Sequence, residues 1–230
     1  MASDILGKAL LDYHQKRFKK PLLLHNNYGK PENQPLSVFF QNAQNMPELD
    51  LYAISLCKGH TLDIGAGTGR HSLELQNNGL KVTSLDSSPC CIRLMKDRGL
   101  DHVVEGNIYE FEGETYDTLL LMMNGIGLCQ TLDALTPLLK KLKSLLKPNG
   151  QVIFDSSDIS YLYLDEMFPH DRYFGEIDYR YEYRDEMGEW FKWVYVDKET
   201  MQFMAEQVGF QCQIIYQNNR DQYLARLTLV

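Results

Sequence analysis

Thr61-Leu62-Asp63-Ile64-Gly65-Ala66-Gly67-Thr68-Gly69-Arg70 is the stretch that decides the fold. Strand-forming residues run into an acid, and three glycines follow at alternate positions. A helical pattern begins directly after them. This order predicts the first strand of an open α/β sheet, a tight turn and the N-terminus of the next helix. Glycine tolerates positive φ, and it lets a ligand approach the backbone where a Cβ would block it. A helix start offers free N–H groups to electron-rich ligand atoms. The glycine spacing separates two ligand classes. A dinucleotide fingerprint places its third glycine five residues after the first. Here that position is Arg70 and the third glycine is Gly69, so no small residue sits where a pyrophosphate-binding turn would want one.

Downstream, the pattern alternates strand and helix. Leu80–Leu85 reads as the second strand and ends in Asp86, 17 residues after Gly69. An acid at that point can accept hydrogen bonds from both ribose hydroxyls of an adenosine. Ser87-Ser88-Pro89 follows, with Ser88 as helix cap and Pro89 at the first helical position. Val103-Val104 is a short third strand. Thr118–Met123 is an unbroken apolar run, as a strand buried on both faces requires. It ends at Asn124-Gly125-Ile126-Gly127. Ligands of open parallel sheets sit at the carboxyl ends of strands, so Asn124 is well placed to face a reacting group, capping of the next turn being its other reading. Thr131–Leu146 is an amphipathic helix with Pro137 in its first turns, and Gln151–Phe154 is the fifth strand. A helix over Asp197–Val208, stopped by Gly209, precedes a strand pair, Phe210–Gln217 and Gln222–Leu229.

The D-x-G-x-G-x-G pattern of Asp63 to Gly69 resembles motif I of the class I S-adenosylmethionine-dependent methyltransferases, and the likeness extends from about residue 60 to 155. The resemblance implies a doubly wound α/β fold with a mostly parallel, seven-stranded, Rossmann-like sheet whose last strand is antiparallel. It implies S-adenosylmethionine as cofactor and S-adenosylhomocysteine as product. Asp63, Gly65, Ala66, Gly67 and Gly69 would wrap the methionine end. Asp86 and Ser87 would serve the ribose. Where such proteins carry Gly-Asp-aliphatic at the adenine, this chain has Gly106-Asn107-Ile108. The Asn107 amide oxygen can still accept from an amino group, at a cost of roughly 1 kcal/mol for the lost charge assistance. Ile108 would pack on the ring, and Asn124 would lie near the methyl group. Some relatives carry an arginine after an aromatic pair like Phe39-Phe40; here it is Gln41.

At 230 residues with 44% hydrophobic and 23% charged composition, the chain suits one sizeable core. It reads as a single domain: N-terminal helices and a lid over 1–58, a cofactor-binding core over 59–160, an insert over 161–196, and a closing helix with its strand pair over 197–230. A net charge of −8 argues against non-specific nucleic-acid binding and favours a small-molecule acceptor. Five cysteines without metal-ligand spacing suggest a reducing, cytoplasmic setting and no metal site. No apolar run approaches a membrane span.

Two regions stay open. Ile5, Leu6, Ala9, Leu10 and Tyr13 recur at helical spacing; Asp4 or Ser3 is the cap, and Pro21 closes the helix beyond the basic residues Lys16, Arg17, Lys19 and Lys20. Residues 25–36 read as a polar loop or lid. In the insert, Ile177, Tyr179, Tyr181 and Tyr183 alternate with charged residues, and Glu189–Val196 holds both tryptophans. This is an added antiparallel hairpin. Its aromatic face packs on the sheet or on a second copy of the chain, or else forms a substrate wall for flat or cationic groups. No catalytic triad is evident, and the catalytic residue is left unassigned. Asp155, His25 and Tyr28 are candidate bases, each with a structural alternative. A non-catalytic adenosine-ligand module and a nicotinamide enzyme are the competing functions.

Overall fold

The computed structural model describes residues 4–18, 20–164, 167–219 and 221–230. In chain order the elements begin with α1 (Ile5–His14), β1 (Leu22–Asn26), β2 (Glu32–Gln34), α2 (Glu48–Leu56), β3 (His60–Ile64) and α3 (Arg70–Asn77). Then come β4 (Lys81–Asp86), α4 (Pro89–Asp97), β5 (Val103–Glu105), β6 (Tyr116–Leu121), α5 (Leu135–Ser144) and β7 (Leu146–Ser157). The last are β8 (Glu176–Tyr183), β9 (Glu186–Met187), β10 (Phe191–Val194), α6 (Lys198–Val208), β11 (Phe210–Gln217) and β12 (Gln222–Leu229). Among the described residues these strands form two sheets.

The first sheet has seven strands in the order β11-β12-β7-β6-β3-β4-β5. Pairings among β7, β6, β3, β4 and β5 are parallel, and β12 runs antiparallel to both neighbours. This is the expected doubly wound sheet. Leu119, Leu120 and Leu121 of β6 are fully buried, as a strand covered on both faces demands. Each such leucine contributes on the order of 1.5–3 kcal/mol. From β3 the chain winds outward through β4 to β5, then crosses to β6 on the other side of β3. A crevice therefore opens at the carboxyl ends of β3 and β6, where ligands of open α/β sheets bind.

The second sheet differs from expectation. The segment 25–36, read as a loop, supplies most of a strand pair: β1 pairs with β2, and β1 also pairs antiparallel with β8 of the insert. With β10 and β9 this makes five antiparallel strands in the order β10-β8-β1-β2, β9 pairing β8 at the turn. The sheet joins the N-terminal segment to the insert, and it roofs the crevice. Helix α1 packs beside it and on α4. It stops at His14, short of the basic cluster; of that cluster Lys20 pairs with Asp185 at 2.8 Å, and Lys19 lies outside the described residues. Helix α5 begins at Leu135 rather than Thr131, because Pro137 tolerates only the first turn.

Candidate active site

One cavity of about 550 Å³ lies between the carboxyl edge of the large sheet and the roof. Its floor is the glycine loop. Gly67 has a φ of +58°, and a Cβ there would meet the protein no closer than the Gly65 carbonyl at 3.9 Å, so the position opens onto the cavity. The loop's N–H groups are less free than its sequence suggested. Those of Gly65 and Ala66 donate to the Leu85 carbonyl at 2.9 and 3.0 Å. That of Gly67 donates to Asp86 Oδ2 at 2.7 Å. A loop with these donors spent on β4 is not a phosphate nest, and its chemistry suits a cofactor without phosphate. Gly69 does not line the cavity. It caps α3 in a left-handed conformation, and a Cβ there would clash with Leu100.

Asp63, Gly65, Ala66, Gly67, Asp86 and Ser87 line this end of the cavity. Asp63 is the more structural acid. Its Oδ2 accepts from Ser72 Oγ at 2.6 Å, and burial pushes its carboxyl above the ordinary range. Asp86 is held by two backbone donors, Gly67 N–H and the Ser88 N–H at 2.8 Å. Burial pushes its carboxyl above the ordinary range, and these two donors offset only part of that rise. Each Asp86 oxygen retains a free lone pair, so a pair of hydroxyls would meet a preorganised acceptor. Asn107 and Ile108 also line the cavity. The Asn107 oxygen expected for an adenine already accepts the Tyr109 N–H at 3.0 Å, which leaves it one lone pair.

Asn124, expected near the methyl group, is not among the residues that line the cavity. Its Nδ2 donates to the Val194 carbonyl at 3.2 Å, its N–H to Asp155 Oδ1 at 2.8 Å, and its carbonyl accepts from Trp193 Nε1 at 3.1 Å. The residue fastens the end of β6 to β10, with φ at +57°. Met122 and Met123 line the cavity instead. Of the three candidate bases, none reaches it. Asp155 is buried beside Asn124 and Gln222; burial raises its pKa to about 6. His25 Nε2 meets Glu182 at 2.7 Å on the roof's other face. Tyr28 donates to Glu32 at 3.2 Å, and burial raises its pKa to about 12.

The sequence reading missed a buried cluster beside the glycine loop. Arg70 pairs with Asp50, which His71 Nε2 also meets at 2.7 Å. Arg70 Nη1 donates to the Val38 carbonyl at 2.7 Å and to Gln41 Oε1 at 2.9 Å. An arginine thus does reach the Gln41 corner, from the start of α3 rather than from position 41. Thr68 Oγ1 donates to the Phe39 carbonyl, so the 36–41 segment is tied to the glycine loop. The available signal was a basic residue in the loop and an acid inside α2; only the fold brings them together.

The far end of the cavity is aromatic. Tyr179, Tyr181, Phe191, Trp193 and Tyr195 line it. The insert's aromatic face is thus turned onto the cavity.

A family model described as a methyltransferase domain matches residues 41–213. A solved S-adenosylmethionine-dependent methyltransferase from Bacteroides fragilis, in complex with S-adenosylhomocysteine, is 34% identical and covers 99% of this chain and 95% of its own, with a TM-score of 0.90. A cobalt-precorrin-6B C(15)-methyltransferase of Salmonella typhimurium is 30% identical over 124 residues, 53% of this chain and 62% of that relative's length. A cypemycin N-terminal methyltransferase of a Streptomyces species is 30% identical over 101 residues, 42% of this chain and 41% of its own. The chain belongs to the methyltransferase-domain family and is a class I S-adenosylmethionine-dependent methyltransferase.

Proposed function

We propose that the cavity is divided by function, with the cofactor on the glycine loop and a small-molecule methyl acceptor beneath the roof. In this division Asp86 and Ser87 serve the ribose, Asn107 and Ile108 the adenine, and Asp63, Gly65, Ala66 and Gly67 the methionine end. The observation that carries it is Asp86: two backbone N–H groups fix its carboxylate at the cavity edge, at the end of β4. Gly69 and Asn124 act by shaping the loop and the roof rather than by contact.

The cofactor supplies an already activated methyl group, so the protein's work is alignment. Good alignment of a nucleophile supplies on the order of 7–11 kcal/mol. The roofed cavity and the acidic chain, at net charge −8, support a small acceptor rather than a nucleic acid. The aromatic face that suggested a homodimer is turned onto the cavity, so it supports an acceptor wall instead. Five free cysteines support the cytoplasm as the setting. Among the described residues no helix is long and apolar enough to cross a membrane.

Calorimetry with S-adenosylmethionine and S-adenosylhomocysteine tests the division. Micromolar binding to the wild type is expected, weakened tenfold or more by Asp86→Ala. Unchanged affinity in that variant removes Asp86 from the ribose.

A further inference from the structure

The roof sorts its side chains by charge. Cross-strand partners share a face, and Phe191 pairs with Tyr179 while Lys192 pairs with Asp178. The cavity face therefore carries the rings. The other face carries Arg180, which lies over Trp190 at 4.6 Å, and Lys192, which meets Glu176 at 3.7 Å. Among the described residues, Arg70 and His71 are the only basic side chains lining the cavity; both sit at the cofactor end and both are engaged by Asp50. An acceptor recognised through a carboxylate or phosphate would find no uncommitted cation.

An acceptor that must lose a proton on methylation fares no better. Asp155, His25 and Tyr28 do not reach the cavity. The carboxylates that line it, Asp4, Asp63 and Asp86, sit at the cofactor end and are bonded to serine hydroxyls or backbone N–H groups. The acceptor end offers phenols: Tyr179 and Tyr195 hydroxyls lie 3.1 Å apart. Burial pushes the Tyr195 phenol up, the hydrogen bond with Tyr179 offsets part of that rise, and Tyr161, Glu32 and Asp155 add smaller upward pushes, so the phenol stays protonated.

We propose that the acceptor is a small amine, whose nitrogen is methylated against the rings of Tyr181, Phe191 and Trp193. This rests on the methyltransferase reading of the cavity. An uncharged amine carries its own lone pair and needs no protein base. The lone pair attacks the methyl carbon; the C–N bond forms as the C–S bond breaks. The electron pair of the broken bond stays on sulfur, and the positive charge passes from sulfonium to ammonium. Any N–H proton then leaves to solvent. Aromatic faces stabilise the positive charge on either atom.

The test uses calorimetry with choline, a quaternary ammonium probe, and 3,3-dimethylbutan-1-ol, its uncharged isostere, with and without S-adenosylhomocysteine. Choline is expected to bind at least tenfold more tightly than the isostere. Phe191→Leu and Trp193→Phe should each reduce that preference and leave S-adenosylhomocysteine affinity unchanged. Phe191→Leu spares the Trp193 hydrogen bond, so it reads the ring alone. Equal binding of the two probes, or no choline binding, overturns the proposal. Methyl transfer to an alcohol or carboxylate panel but not to primary and secondary amines also overturns it. Failure of the wild type to bind S-adenosylhomocysteine strikes the cofactor reading instead, and the probe preference is still read without it.

Discussion

Asp155 carries a titration that the fold keeps away from the chemistry. Burial raises its pKa to about 6, well above the ordinary aspartate value of 3.8. Between those two values the folded protein holds a proton that the unfolded chain has released, so stability falls as pH rises through the window. The loss is on the order of 3 kcal/mol. Urea denaturation from pH 4 to 7 is expected to show that decline in the wild type and a flatter profile in Asp155→Asn. A wild-type profile that rises across the window would contradict the assignment. Gly127 makes a different demand. A Cβ there would stand 2.1 Å from Trp193 Nε1. The indole cannot slide aside without losing its bond to the Asn124 carbonyl. Gly127→Ala is therefore expected to destabilise the fold by roughly 1–3 kcal/mol and to lower kcat/KM, with S-adenosylhomocysteine affinity held; denaturation and calorimetry check the two halves separately.

Among the elements, α1 is fastened by a carboxylate that also serves another helix. Asp4 Oδ1 accepts the Gly7 N–H at 3.0 Å as the cap of α1, and its Oδ2 accepts from Ser88 Oγ at 2.6 Å. Ser88 in turn caps α4 through the Cys91 N–H at 3.0 Å. Because Leu6, Gly7 and Leu10 of α1 line the cavity, Asp4→Ala should cost about 1 kcal/mol of stability and also weaken cofactor binding severalfold. Stability loss without any change in calorimetric affinity would separate α1 from the site. The cap Ser88 was legible in the sequence, and Asp4 as one of two candidates, since caps are local. So were the loop, the apolar run of β6 and the acid ending β4, because a sheet covered on both faces writes itself as continuous hydrophobicity. The pairing of β1 with β8 was not legible. Leu24 meets Tyr181 across most of the chain, and no local pattern names such a partner. Arg70 was read for what it was not, a glycine; its buried pairing with Asp50 needed α2 and α3 brought together. Asn124 was placed correctly at the strand end, but its side-chain direction depends on β10, an insert strand.

For the whole molecule, the roof is built from two segments that flank the cofactor core in sequence and meet only in space. Hydrogen exchange on adding S-adenosylhomocysteine and a bound amine is expected to slow chiefly in α1, β1, β8 and β10, because β3, β6 and β7 are already buried. Protection confined to the large sheet would contradict a roof that contacts the ligand. The same arrangement has an optical consequence. The chain has two tryptophans, Trp190 and Trp193, and both lie in the insert. Trp190 is half exposed beneath Arg180, on the far side of the roof, while Trp193 faces the cavity. The cofactor core contains no indole. Excited near 295 nm, the protein emits from its roof alone, and Trp190→Phe leaves a single emitter, Trp193, whose colour and quenching follow what enters the cavity.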